Sequence, residues 1–337
     1  MGLIRIAVVG CGYWGPNVAR NLAEIEAFQL AACCDHDGKR LRPIARRYPN
    51  VELTTDADVL LERKDIDAIA IVTPVATHHA LARQALLAGK HVFLEKPMAS
   101  TVAQAQDLIE IAARQERVLL VDHTYVYSGA VQKIKQLIDS GDLGNIYYYD
   151  SVRVNLGLFR HDVNVIWDLA THDIAIFDYL LRKTPQAVSA IAHSHIDRQP
   201  ENIAYITCYY PHGVIGHLHV NWLAPVKERR ILIGASRKMI VYDDLEPSEK
   251  VKVYEAGVDV IPGEDRVRQV RIGYRKGDVH VPQLDRTEAL RRACEHFAHC
   301  ITNGEIPLSG GEAGTRVLQI LEAAQRSVEC RGKEVAL

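Results

Sequence analysis

The sequence predicts two domains: an α/β domain with a doubly wound parallel sheet over residues 1–123, and an α+β domain with one large, mainly antiparallel sheet over 124–337. Three observations predict this. An apolar run rich in β-branched residues, 3–9, breaks into a glycine-rich turn and is followed by a helical pattern over 16–26. Apolar runs and helical patterns then alternate as far as Val121, as parallel strands joined by crossover helices do. Past Val121 the alternation stops and a series of strand-like runs replaces it. At 337 residues the chain is long enough for two such cores.

The first run, Leu3 to Val9, reads as a strand buried on both faces. It leads into Gly10-Cys11-Gly12-Tyr13-Trp14-Gly15, a Gly-x-Gly-x-x-Gly turn between a strand and a helix. A dinucleotide-binding turn requires that context. Gly10 permits the tight turn, Gly12 leaves bare backbone for a pyrophosphate, and Gly15 lets the helix pack close to the strand. The helix N-terminus adds free N–H groups and partial positive charge. Tyr13 and Trp14 belong to the same turn and join the expected cofactor contacts.

A second apolar run, 28–34, ends in Asp35, which lies 23 residues past Gly12, against an expected spacing of about 20. A carboxylate there accepts hydrogen bonds from a ribose diol and repels a 2′-phosphate, which favours NAD over NADP. Arg40, Arg42, Arg46 and Arg47 follow. They read as a solvated helix face, with Arg40 reaching the cofactor and contact with a 2′-phosphate as the minority alternative.

The pattern continues with a helix over 38–48, a strand over 51–53, a helix over 56–63 and a strand over 67–73 stopped by Pro74. A helix over 76–88 capped by Gly89, a strand over 91–94, a helix over 101–115 and a strand over 118–121 complete the first sheet. In such sheets ligands bind beyond the carboxyl ends of the strands. The glycine turn, Asp35, Thr73-Pro74, Glu95-Lys96-Pro97 and Asp122-His123 all fall there. Thr73, Pro74, Glu95 and Lys96 are therefore expected around the cofactor, with His78 on the helix that follows. A lysine in this place can donate to a substrate oxygen; a surface lysine in a strand–helix turn fits the pattern equally.

Composition narrows the function classes. Charged residues make up 24% of the chain and the net charge is −2, which gives no electrostatic case for nucleic acid or an anionic membrane. No apolar run reaches the roughly 20 residues that span a bilayer. The first strand starts at residue 3, which leaves no room for a signal peptide, and Ile6 stands where myristoylation prefers Ser or Thr. A cytoplasmic protein is expected. Seven scattered cysteines read as reduced thiols. His193/His195 and His217/His219 share strand faces but find no third ligand at a convincing spacing, so no metal is expected.

In the second half a helix is expected over 129–140, a strand over 145–155, a loop over 156–165 and a helix over 167–181. Strands follow over 187–195, 203–210, 214–222, 230–235, 239–242 and 251–255. The charged stretch 257–283 reads as a long excursion or loop. Helices over 285–302 and 311–329 close the chain. Asp168 and His172 stand four apart on one helix, which puts both on one face. A carboxylate one turn from a histidine fixes its tautomer and stabilises its charged form, the arrangement of a general base. A helix-opening aspartate beside a surface histidine satisfies the same periodicity.

Taken in order, Gly10 to Gly15, Asp35, Thr73-Pro74, Glu95-Lys96-Pro97 and Asp168-x-x-x-His172 resemble the glucose–fructose oxidoreductase/inositol dehydrogenase family, also called Gfo/Idh/MocA, over nearly the whole chain. The resemblance implies an N-terminal Rossmann domain and a C-terminal domain with an open antiparallel sheet. It also implies a homodimer or homotetramer built through that sheet's face. By the same resemblance Lys96, Asp168 and His172 are catalytic. His172 takes the proton of a sugar or cyclitol hydroxyl as a hydride leaves its carbon, Lys96 hydrogen-bonds the same oxygen, and Asp168 contacts substrate or orients His172.

A narrower likeness involves 12–17, Asp122-His123-Thr124-Tyr125 and 155–162. These resemble a branch associated with surface-polysaccharide and nucleotide-sugar pathways, which implies a nucleotide-linked sugar, at C3 of a UDP-linked amino sugar. Tyr125, Arg153, Asn155, Arg160, His161 and Asn164, with Asp168 and His172, are then the expected substrate contacts. Arg153 or Arg160 suits a diphosphate or carboxylate. The loop before Asp168 lacks the glycine-rich lead-in of inositol dehydrogenases, which counts against free inositol. A free-sugar or inositol dehydrogenase is the alternative enzyme, and a non-catalytic NAD-binding regulator the alternative of another class.

Overall fold

The computed structural model describes residues 2–157, 159–197, 199–261 and 271–337. The chain forms two compact units, Met1–Ser128 with Thr287–Gln319, and Gly129–Arg286 with Ile320–Leu337.

Strand and helix alternate in the first unit: β1 (Ile4–Val9), α1 (Gly15–Glu24), β2 (Phe28–Cys34), α2 (Gly38–Arg47), β3 (Glu52–Thr54), α3 (Ala57–Glu62), β4 (Ala68–Ile71), α4 (Val75–Leu87), β5 (His91–Glu95), α5 (Val102–Arg114) and β6 (Leu119–Asp122). The six strands pair in parallel in the order β3-β2-β1-β4-β5-β6. Chain order reverses between β1 and β4, the switch point at which doubly wound sheets bind ligands. Helices cover both faces, so Ile6, Ala7, Val8, Ala68, Ile69 and Ala70 are all sealed from solvent whichever way they point.

The edge strand β6 is closed by a later segment. Ser309 accepts from the Val121 N–H at 2.8 Å through its carbonyl, and its hydroxyl donates to the Val121 carbonyl at 2.6 Å. The unpaired strand edge is thereby satisfied. Helix α8 (Ala289–Asn303) packs its own stripe on this unit. Phe297 lies edge-on to Phe93, with ring centroids 5.7 Å apart, and stacks on Phe28 at 6.3 Å.

The second unit holds α6 (Gly129–Asp139), β7 (Ile146–Leu156), α7 (Thr171–Leu181), β8 (Ala187–His193), β9 (Ile203–Tyr209), β10 (Ile215–Asn221), β11 (Leu223–Ala235), β12 (Met239–Asp243) and β13 (Val251–Tyr254). With β16 (Val279–His280) and β17 (Val335–Ala336) the strands form a nine-stranded sheet, β16-β13-β12-β11-β7-β10-β9-β8-β17, antiparallel except where β10 meets β7. One face is buried. Tyr149 stacks on Phe177 at 4.1 Å, and Tyr179 of α7 donates to Gln132 of α6 at 3.1 Å. The other face carries half-exposed residues such as Tyr205, stacked at 4.5 Å on His219.

The stretch 257–283 is not simply a loop. Strands β14 (Gly257–Ile261) and β15 (Arg271–Arg275) pair antiparallel, and β16 joins the large sheet through β13; 262–270 lie outside the described residues. Backbone pairing needs no apolar side chain, so hydropathy does not mark a two-stranded ribbon whose Tyr274 is exposed. Helix α8 begins at Ala289, after Glu288, rather than at 285. Among the described residues no helix is long and apolar enough to cross a membrane.

Phe297→Ala removes the ring that joins α8 to β2 and β5, and is expected to cost the first unit about 3–5 kcal/mol. The check is the urea midpoint followed by circular dichroism; an unchanged midpoint would contradict this packing.

Candidate active site

In the first unit the expected site residues gather at the carboxyl ends of the strands. Gly10 has φ +102°, and a β-carbon on it would collide with the Val72 carbonyl, so its turn admits only glycine. At Gly12 the space is open, with the Arg40 guanidinium the nearest group at 3.6 Å. Bare backbone over open space is what a pyrophosphate needs.

Asp35 is buried at the end of β2. One oxygen accepts the Cys11 N–H at 2.8 Å and the other the Asp37 N–H at 2.9 Å. Each oxygen keeps acceptor capacity for a ribose hydroxyl. Arg40 approaches Asp35 to 3.8 Å. Tyr13 is 91% exposed at the tip of the turn. These residues fit NAD: an open backbone cradle and a carboxylate anchored by main-chain donors.

Thr73 ends with its hydroxyl accepting from Thr77 at 2.7 Å, beside Pro74 at the mouth of α4. The peptide bond Lys96–Pro97 is cis, and Glu95 and Lys96 are half-buried. His78 requires a correction. It was expected against the cofactor, but it is sealed from solvent, with Nδ1 2.8 Å from the Pro97 carbonyl and Nε2 2.8 Å from the Thr73 carbonyl. Burial lowers its pKa and keeps the ring neutral, so it donates its single N–H to one of these two carbonyls while lying between the Thr73 turn and the Lys96-Pro97 turn.

Asp122 and His123 lie at the end of β6, and Tyr125 follows in a short 3₁₀ turn, half-buried. Burial and the nearby Lys96 charge push His123 down to about 3. Burial, with Arg117 nearby, pushes His91 down to about 4.

In the second unit a wide π-type turn, Ile166–Ala170, opens α7. It carries Asp168, and His172 follows in the first turn of α7. The buried Trp222 donates its indole N–H to Asp168 at 3.2 Å, and the Arg160 guanidinium lies 3.6 Å from the other oxygen. Arg160 also pairs with Asp162 at 3.2 Å. His161 is exposed and bonded to Gln199 at 2.8 Å, while Asn155 is half-exposed at the end of β7.

Two expected substrate contacts are engaged elsewhere. Arg153 is 5% exposed and grips Asp173 with two bonds of 2.8 and 2.9 Å. Asn164 donates to Glu201 at 3.0 Å and Gln325 at 2.8 Å, and accepts the Ile166 and Trp167 N–H groups at 3.1 Å. All its donors and lone pairs are used. Arg153 therefore braces α7 and Asn164 caps the π-type turn, rather than meeting substrate. Sequence reasoning missed Trp222, which ends a strand-like run with no local sign that its indole reaches Asp168.

Among the described residues no group of three or more His, Cys, Asp or Glu side chains is placed to hold a metal. The described cysteines are all free thiols.

Gly12→Val fills the open cradle without touching a core contact. It is expected to weaken NADH binding about tenfold or more while leaving the melting temperature in place; unchanged affinity by fluorescence titration would contradict the cradle. The histidines yield a pH prediction. His91 and His123 stay neutral in the fold where the unfolded chain binds protons, so between pH about 4 and 6.5 the unfolded state holds more protons and stability falls as pH falls. His123→Asn should flatten that slope in urea titrations; an identical slope would contradict it.

Comparison with known proteins agrees with both units. Residues 4–123 match the family model described as an oxidoreductase family with NAD-binding Rossmann fold, and residues 131–241 match the GFO/IDH/MocA C-terminal domain. The UDP-N-acetylglucosamine 3-dehydrogenase of Acidithiobacillus ferrooxidans is 28% identical over 335 residues, covering 97% of each chain. Its solved structure superposes with a TM-score of 0.81 over 98% of this chain and 99% of that one, at 26% identity. The myo-inositol 2-dehydrogenase of Thermotoga maritima is 24% identical, over 97% of this chain and 96% of its own. GenD2 from gentamicin A biosynthesis, solved in complex with NAD, shares the fold with a TM-score of 0.84 at 20% identity, over 100% of this chain and 97% of that one. The chain belongs to the Gfo/Idh/MocA family of oxidoreductases, with the NAD-binding Rossmann fold in its N-terminal unit.

Proposed function

We propose that this oxidoreductase is an NAD-dependent dehydrogenase of a nucleotide-linked sugar, acting at C3 of a UDP-linked amino sugar. The observation that carries the reaction is the presence in one chain of the Lys96 turn at the end of β5 and the Asp168–His172 turn braced by Trp222. The substrate reading is supported by the likeness, over nearly the full length, to a UDP-N-acetylglucosamine 3-dehydrogenase. Arg160, exposed and cationic, suits the diphosphate of such a sugar.

The glycine turn would hold the pyrophosphate of NAD, Asp35 the ribose diol, and Thr73, Pro74 and Glu95 the approach to the nicotinamide. NAD, when bound, supplies the hydride acceptor. His172 acts as the base for the sugar hydroxyl proton, and the Lys96 ammonium donates to the same oxygen and stabilises its developing negative charge. Asp168, held by Trp222 and Arg160, supports the charged form of His172. The reverse sequence reduces a ketone. The same reading proposes a homodimer or homotetramer through the outer face of the nine-stranded sheet, where Tyr205 and Ile215 are exposed.

The test is nicotinamide absorbance with NAD or NADP and a panel of UDP- and dTDP-sugars, free sugars and inositols. One nucleotide sugar should reduce NAD. Lys96→Ala and His172→Ala should each lower kcat about 10²–10⁴-fold while NADH still binds. Turnover of free inositol or glucose, with every nucleotide sugar inert, would replace this reading with that of a free-polyol dehydrogenase.

A further inference from the structure

Arg160, in the segment after β7, lies between two carboxylates. Its Nε and Nη2 donate to the two oxygens of Asp162 at 3.2 and 3.3 Å, and its Nη1 stands 3.6 Å from Asp168. The chain on either side of it is pinned. The Gly157 N–H donates to the Trp222 carbonyl at 3.0 Å, the Phe159 ring meets the Trp222 indole edge-on at 5.7 Å, and His161 is bonded to Gln199 at 2.8 Å. Moving the guanidinium therefore needs only rotations within the long Arg160 side chain. Asp168 keeps the Trp222 indole N–H, at 3.2 Å, whichever way Arg160 turns.

The pairing with Asp162 is loose. The Arg160 and Asp162 side chains are 46% and 41% exposed, and ion pairs in water hold weakly. Charge decides what can displace them. A sugar hydroxyl is neutral and makes the weaker kind of bond to a guanidinium, so it does not compete with two carboxylates. A ligand with one negative charge replaces one partner and no more. The diphosphate of a nucleotide-linked sugar carries two negative charges on oxygens that suit a bidentate grip, and so matches both partners at once. Burial pushes the Asp162 carboxyl up, but the Arg160 guanidinium, with His161 adding to it, holds it below the usual carboxylate range. Asp162 is therefore an ionised competitor at neutral pH.

We propose that Arg160 determines specificity by exchanging partners: Asp162 and Asp168 hold its guanidinium until the diphosphate of a nucleotide-linked sugar takes it from them, and a neutral sugar leaves it where it is. The inference rests on the reading of the substrate as a nucleotide-linked sugar, and adds to it the residue that tells such a substrate from a free sugar and the carboxylate that competes for that residue. Asp162 then sets a threshold. It lowers the affinity for every anion, and lowers it most in proportion for those too weakly charged to replace both carboxylates. When Arg160 leaves, Asp168 spends none of its charge on it and stays anchored by Trp222, beside His172 on the same helix face.

The test is a calorimetric titration of UDP into the full chain saturated with NADH, with NADH affinity as the check that each variant is folded. Arg160→Ala should weaken UDP binding about tenfold or more. Asp162→Asn keeps the shape of the competitor and removes its charge, and should tighten UDP binding about two- to fivefold. In the Arg160→Ala/Asp162→Asn double variant the second substitution should no longer tighten binding, because the competitor has no guanidinium left to hold. A wild type that does not bind UDP, or an Arg160→Ala variant that binds it equally well, overturns the proposal. Unchanged or weaker binding in Asp162→Asn overturns the exchange, and so does tightening that persists in the double variant. The titration reads binding without turnover. A chain that passes it but oxidises no nucleotide sugar refutes the dehydrogenase reading alone, and one that oxidises a UDP-sugar while Arg160→Ala keeps its UDP affinity refutes the exchange alone.

Discussion

Parallel pairing makes every strand of the first unit end on the same edge of the sheet, and the chemistry of that unit depends on it. The glycine turn, Asp35, Thr73-Pro74, Glu95-Lys96-Pro97 and Asp122 are separated by tens of residues in the chain but are the successive ends of β1, β2, β4, β5 and β6. Each turn is then fastened to its neighbour by a polar side chain taken out of solvent. Asp35 takes the Cys11 N–H of the glycine turn, His78 is wedged between the Thr73 and Pro97 carbonyls with its one N–H donated to one of them, and Asp122 takes the Trp14 indole. A buried carboxylate or imidazole without such partners would cost several kcal/mol, on the order of a large fraction of a domain's stability. The fold therefore keeps these side chains only where they bind, and the binding fixes the turns.

The second unit solves a related problem with one face of an antiparallel sheet. Helix α7 lies on that face through Phe177, and Arg153 of β7 reaches Asp173 on the same helix. Removing one member of a pair this deeply buried leaves a charge without compensation, so the pair fixes where α7 sits as much as the aromatic contacts do. Asn164 completes the arrangement by capping the π-type turn that carries Asp168. Wide turns of this kind are frequent at functional sites. Here the turn places Asp168 against the Trp222 indole while His172 continues into regular helix.

Local features of the site were legible in the sequence because their causes are local. A strand, three glycines and a helix specify a turn; Asp35 follows at the next strand end; and Pro74 and Pro97 mark where strands stop. Long-range commitments were not legible. Arg153 and Asn164 stand near Asp168 in the chain and carry the right chemistry for a substrate, but their partners, Asp173, Glu201 and Gln325, are set by tertiary packing. His78 reads as a helix-opening residue free to line a cleft, and only the fold shows two carbonyls enclosing it. The stripe Leu290, Ala293 and Phe297 announces a helix without saying which core receives it; Phe28 and Phe93 of the first unit do. The ribbon of β14 and β15 escaped notice because its pairing is a property of backbone, while hydropathy reports side chains.

The proposed reaction moves a hydride between a sugar carbon and a nicotinamide. The most direct measurement is isotope transfer: UDP-N-acetylglucosamine deuterated at C3 is incubated with the purified protein and NAD, and the recovered NADH is weighed by mass spectrometry. Oxidation at C3 should leave one deuterium in each NADH formed. NADH that forms without deuterium would place the oxidation at another carbon, and failure of any nucleotide or free sugar to pass its carbon-bound deuterium to the cofactor would contradict the claim itself.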